Sequence, residues 1–169
     1  MASINGPLSN DILAGGEGAG DMFDIVVIRD ELPPGFEVLR HAAADEAFNM
    51  LRTLKEEWDS AANRFDKPGE ALVAAMDGPV LAGLGSIRED PYVPGALRLS
   101  RFYVYPPYRR RGVGRSIAEY LLNQPEVEGR TITLNAPQVE AARFWEALGF
   151  VRDARDEHTH IRAGDYAHA

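Results

Sequence analysis

Residues 103–117 read Tyr-Val-Tyr-Pro-Pro-Tyr-Arg-Arg-Arg-Gly-Val-Gly-Arg-Ser-Ile. This is a β-prone run, a proline turn, three arginines, a Gly-x-Gly and then the start of a helical pattern. A strand that feeds a glycine-containing turn at a helix start leaves several backbone N–H groups directed at one spot, which suits a phosphate. The helix dipole adds roughly half a positive charge there. If the chain has one functional site readable from sequence, it is this strand–turn–helix unit; the alternative is an ordinary turn-to-helix junction.

The charge distribution agrees with that reading. Net charge is −8, which argues against a general nucleic-acid binder, since such a protein needs a basic footprint. Yet Arg98, Arg101, Arg109, Arg110, Arg111 and Arg115 fall in a stretch with no Asp or Glu between Pro91 and Ala118. One basic island in an acidic chain points to a small anionic ligand, or to a solvated arginine-rich loop. There are no cysteines, which excludes disulfides, thiolate catalysis and Cys-ligated metals. No signal-like opening and no apolar run of about 20 residues is present, so the expectation is a soluble cytoplasmic protein without membrane partners.

Residues 1–30 read as a flexible, Gly-rich tail in which 23–29 is β-prone and could add a strand; 31–169 read as one domain. Pro33-Pro34-Gly35 resets the chain, and Phe36 to Arg40 is a short strand candidate. Asp45 is a candidate cap for a helix with Ala47, Phe48, Leu51, Leu54 and Trp58 on one face. Leu72–Met76 and Val80–Ile87 flank Asp77-Gly78, a hairpin signal. Gly83 and Gly85 suggest close approach of a backbone or a ligand. Leu97–Val104 is a strand, and Val113, Ile117, Ala118, Leu121 and Leu122 mark the next helix. Thr131–Leu134 is a short strand. Val139, Ala142, Trp145 and Leu148 form the last helical stripe, with Gly149 as its C-terminal cap, before a closing hairpin over 150–162. The fold class is α/β (α+β): a mixed sheet with helices on both faces.

The Gly-x-Gly is not a Walker loop, and Gly112-Val113-Gly114-Arg115-Ser116-Ile117 lacks the third glycine of a dinucleotide fingerprint. Its wider context is more specific. Val104-x-Pro106-x-Tyr108-Arg109-x-x-Gly112-x-Gly114 resembles the acetyl-CoA-binding motif of the GNAT (GCN5-related N-acetyltransferase) family. Ala141-x-x-Phe144-Trp145-x-x-x-Gly149-Phe150 is similar to the family's last-helix motif. The resemblance spans about residues 36 to 162. It implies six to seven mostly antiparallel strands, splayed open between Leu97–Val104 and Thr131–Leu134, with acetyl-CoA as co-substrate in the splay and no metal. On this resemblance Phe102, Tyr103 and Val104 pair with the pantetheine arm. Amides over Arg109, Arg110, Arg111, Gly112, Val113, Gly114, Arg115 and Ser116 hold the pyrophosphate. Asn135, Gln138, Phe144 and Trp145 complete the donor site.

The sequence departs from that pattern in two places. Trp145 stands where the family has a tyrosine that protonates the leaving thiolate; an indole N–H can orient a thiol but does not titrate near neutral pH. Tyr105 and Tyr103 are the substitutes, ranked above Tyr108. The fourth strand reads Arg98-Leu99-Ser100-Arg101, without the acidic residue many members carry there, so Glu89 is the candidate base, with Asp90 beside it. His158 and His160 share a strand face but make a weak metal site even with His168 or Asp156. The implied function is acetyl transfer from acetyl-CoA to a primary amine of a small molecule or peptide. The alternatives are a catalytically silent acyl-CoA-binding module and an unrelated nucleotide-binding enzyme. A homodimer is left open.

Overall fold

The computed structural model describes residues 23–165 of the 169. The Gly-rich stretch 1–22 and His168 lie outside the described residues. Seven strands form one sheet in the order β1-β2-β3-β4-β5-β7-β6. They are β1 (Asp24–Val27), β2 (Ala71–Asp77), β3 (Val80–Glu89), β4 (Leu97–Val104), β5 (Ile132–Leu134), β6 (Val151–Arg155) and β7 (His158–Arg162). β4 and β5 run parallel, and every other neighbouring pair is antiparallel.

Four helices cover the sheet: α1 (Phe36–Asp45), α2 (Met50–Asp59), α3 (Val113–Leu122) and α4 (Val139–Ala147). The strands alternate between two cores. Val73 and Ala75 face the core shared with Val113, Ile117, Phe144 and Trp145 of α3 and α4. Leu72 and Ala74 face the core shared with Leu39, Leu51, Leu54 and Trp58 of α1 and α2. This alternation of two apolar sets along one strand is what a sheet buried on both faces requires.

Three expectations are corrected. Phe36–Arg40 is the first part of α1, not a strand: Phe36, Leu39 and Ala43 are its buried residues, at helical spacing, while Val38 is exposed. The helix after it starts at Met50 and not near Asp45, because Ala47 turns the chain at φ 66°. On α4 the buried positions are Ala141, Phe144 and Trp145, and Val139 points to solvent at 65% exposure. The Asp77-Gly78 hairpin forms between β2 and β3 as the sequence predicts.

The two glycines of β3 are explained by packing. A Cβ on Gly85 would lie 2.8 Å from Ile117 Cγ2 and 2.9 Å from the Phe102 ring; on Gly83 it would lie 2.9 Å from the Tyr103 carbonyl oxygen. Here α3 and β4 press on β3 too closely for any side chain. This brings the start of α3 down to the end of β4, where the anion site was expected.

Candidate active site

β4 ends at Val104. The Tyr105 amide then bonds the Ala82 carbonyl at 2.8 Å, and Pro106–Tyr108 form a single 3₁₀ turn. Arg110 and Gly112 take left-handed backbone conformations, at φ 65° and 81°, with Arg111 between them. Gly112 is also the residue that opens α3, and a Cβ added to it would meet nothing within 4 Å. Backbones of alternating hand turn successive N–H groups to one side and make a concavity for anions. The first bond of α3 runs from Ser116 N to Gly112 O at 3.0 Å, so the amides of Val113, Gly114 and Arg115 point off the helix end. A built cradle of backbone donors therefore sits at the end of β4.

Most arginine side chains of the loop have other work. Arg109 bonds the Val104 carbonyl (3.2 Å) and grips both oxygens of Glu46 (2.8 and 2.6 Å). Glu46 follows α1 and also accepts the Tyr103 hydroxyl. The Arg109 guanidinium holds the Glu46 carboxyl below its ordinary range, with the Tyr103 bond assisting against a smaller burial effect. Burial, then the bond to Glu46, pushes the Tyr103 phenol well above its ordinary value, so it stays protonated. Arg111 lies 4.7 Å over the Tyr108 ring, whose hydroxyl donates to Asp77 at 2.7 Å. Arg115 pairs with Glu119 at 3.0 Å, and Arg110 is exposed. The cradle is thus made of amides, stapled to the end of α1 by one carboxylate.

The staple has a pH signature. A carboxylate whose pKa is depressed by folding adds stability that is complete above its unfolded value and is lost as pH falls through the lowered one. Glu46→Gln should therefore melt below wild type at neutral pH, with the gap closing below about pH 4. Thermal melts of both proteins across pH 3–7 check this.

β4 pairs with β5 only at Leu97↔Ile132 and Arg98↔Thr133, and beyond that the two strands part. The β5-facing edge of β4 from Leu99 to Val104 has no partner strand among the described residues. Against β3 the register shifts between Leu84 and Ser86, so β4 bulges at Arg101, where φ is 58°. Phe102 follows the bulge and meets Trp145 edge-on at 4.9 Å; Phe144 and Phe150 pack on the same indole at 4.9 and 5.6 Å. Trp145 is fully buried, and its Nε1 has no hydrogen-bond partner in the protein. Asn135 follows β5 half-buried, and exposed Gln138 caps α4.

The three candidates for acid–base chemistry, Glu89, Tyr103 and Tyr105, are not brought together. Glu89 stands opposite Leu97 in the register and pairs with Lys67 at 3.7 Å. Tyr103 lies six residues further along β4, about 20 Å away at strand spacing, with its hydroxyl on Glu46. Tyr105 lies further still, stacked on Tyr108 at 6.3 Å. What sequence reasoning missed is a polar row on the α2 side of β3 and β4. Ser86 faces Ser100, Arg88 faces Arg98, and Arg101 reaches Glu57 of α2 at 3.2 Å. The hairpin register carries that signal, since Arg88 and Arg98 lie symmetrically about Val93. His158 bonds Asp153 (3.0 Å) and His160 bonds Glu146 (2.8 Å); no cluster of three metal-binding side chains occurs among the described residues.

Comparison with known proteins places this architecture. Residues 39–166 match the family model described as "Acetyltransferase (GNAT) domain". A proposed acetyltransferase from Exiguobacterium sp. 255-15 shares the fold with a TM-score of 0.76 at 19% identity, over 87% of this chain and 96% of that one. The Bacillus subtilis N-acetyltransferase YlbP, solved in complex with coenzyme A, has a TM-score of 0.54 at 21% identity, over 85% and 98%. The ribosomal-protein-S18-alanine N-acetyltransferase of Escherichia coli has a TM-score of 0.57 at 19% identity, over 83% and 89%. No curated protein sequence matches the chain. No helix among the described residues is long and apolar enough to cross a membrane. The amide cradle, the parted strands and the family match agree: the chain belongs to the GNAT acetyltransferase family and is an acyltransferase.

Proposed function

We propose that the protein moves the acetyl group of acetyl-CoA to a primary amine of a small molecule or peptide by direct attack. The observation that carries this reading is the position of the amide cradle at the end of an unpaired strand edge. A pyrophosphate on the amides from Arg110 to Arg115 would set an extended arm along Phe102–Val104, in the place of a missing strand. Bound acetyl-CoA supplies a thioester, an acyl group already activated toward amines. The chain supplies the rest. Cradle amides bind the phosphates, β4 backbone groups orient the arm, and Phe102, Phe144 and Trp145 exclude water beside the reacting end. The unpaired indole N–H of Trp145 is the donor available there to bond the sulfur as it gains charge. Tyr105 is the phenol of its segment whose hydroxyl is not committed to a carboxylate, since Tyr103 holds Glu46 and Tyr108 holds Asp77.

Titration calorimetry with acetyl-CoA tests the donor half, and CoA release over a panel of amines tests the transfer. Saturable binding with amine-dependent release is expected. Absence of binding at millimolar acetyl-CoA would overturn the proposal. Binding without release from any amine would favour the silent module, a reading motivated by Trp145 and by the missing carboxylate on β4.

A further inference from the structure

The row of polar side chains on the α2 face of the sheet combines features that a fold alone does not call for. Arg88 and Arg98 stand directly opposite each other on β3 and β4. Like charges in that relation destabilise a sheet. Both leave a buried N–H without a partner: Nε of Arg88 and Nη1 of Arg98. Arg98 is only 6% exposed, and the bond it does make goes to the neutral carbonyl of Glu157. Arg101 adds a third guanidinium at the bulge of the same strand.

The nearby carboxylates offset this charge only in part. Glu57 is shared between Arg101 (3.2 Å) and Arg88 (3.7 Å). Asp90 exerts some pull on Arg98, but its oxygens are taken by the Thr133 hydroxyl and by the amides of Tyr92 (2.7 Å) and Val93 (3.2 Å). Glu57 thus serves two of the three guanidinium groups, Arg98 is drawn to Asp90 and Glu157 without an ion pair to either, and two buried donors are unspent. Buried donors without acceptors are rare in native proteins and mark a place where an acceptor is missing.

We propose that the Arg88–Arg98 pair binds a carboxylate of the acceptor, so that the substrate class is an amine that also carries a carboxylate, such as an amino acid. The inference rests on the acetyl-transfer reading, because it takes the acceptor from the face opposite the donor's α3 cradle. The placement is defined by the register: Arg98 lies at the point where β4 and β5 part, and Ser100 and Arg101 continue its face of β4 as far as the bulge, while Phe102 and Trp145 lie in the core on the other face. A carboxylate at Arg98 would leave the amine of the same molecule directed into the gap that opens where β4 and β5 part. Tyr92 lies over the Arg98 guanidinium at 5.4 Å and is itself 53% exposed, so it is the cover that an incoming carboxylate would displace. A planar carboxylate can take two parallel N–H bonds from a guanidinium, a geometry an amide or ester cannot match.

The test compares N-acetylated amino acids with their carboxamides as binding probes, by calorimetry, with and without acetyl-CoA. The free amino acids and their amides are compared as acceptors by CoA release. The carboxylate members should bind at least about tenfold tighter than the carboxamides. Arg98→Met should erase that difference while acetyl-CoA affinity stays at the wild-type value. Should this variant fail to fold, Arg88→Met, at a position with 28% side-chain exposure, reads the same contact. Equal binding of the two series, or no binding of either, overturns the carboxylate site. Loss of acetyl-CoA binding in the unmodified protein overturns the donor site instead, so the two failures are told apart.

Discussion

Gly112→Asp is expected to abolish acetyl-CoA binding in a protein that still folds. The fold survives for three reasons. The added Cβ meets nothing within 4 Å. Asp is among the residues that tolerate a left-handed backbone, here at φ 81°. Asp is also a favoured residue at the position that opens a helix, as Gly112 opens α3. Binding fails because a carboxylate would stand among the amides that the pyrophosphate needs. Two like charges 4 Å apart repel by about 4 kcal/mol at an effective dielectric constant near 20, which is close to a thousandfold in affinity. Calorimetry reads the loss, and a thermal melt within a few degrees of wild type shows that the fold is kept. Wild-type affinity in the variant would mean that the phosphates bind elsewhere.

Trp145→Phe should lower kcat by tenfold to a hundredfold while changing acetyl-CoA affinity little. The indole N–H is buried and has no protein partner, and its ring is fixed edge-on by Phe102, Phe144 and Phe150. A hydrogen bond to a group that gains charge is worth about 1.5–3 kcal/mol, and removing it costs the corresponding factor in rate. The smaller ring also leaves a cavity, expected to cost about 1–2 kcal/mol of stability, so rates are compared well below both melting temperatures. A folded variant with unchanged kcat would make Trp145 a packing residue alone.

What the sequence showed and what it hid follow from the range of the interactions. The cradle was readable because its parts are consecutive: β-prone residues to Val104, then prolines, then Gly112 ahead of a helical stripe. The β2–β3 hairpin was readable for the same reason, from Asp77-Gly78. α1 was misread because Phe36–Arg40 is too short a window for helical spacing to declare itself; the pattern needs Ala43. Glu46 could not be found, since its partners Tyr103 and Arg109 lie 57 and 63 residues away. The arginine row was in plain view as single letters. It took the β3–β4 register to set Arg88 against Arg98, and the β4–β5 pairing to show that the strands part at Arg98.

The unpaired edge of β4 has one more consequence. Exposed strand edges usually lie at the perimeter of a sheet, where any passing polypeptide can add to them and seed aggregation. Here the edge belongs to the fourth of seven strands, with β5 still joined to it at one end. Neighbouring strands stand about 4.8 Å apart, so the slit between them works as a gauge. On the proposed reading it takes a slender linear molecule that bonds to backbone as a strand does, and the strands on either side keep it away from the perimeter of the sheet. A sheet edge left open in the centre of a sheet is thereby kept from the perimeter, where edge-to-edge pairing between molecules takes place.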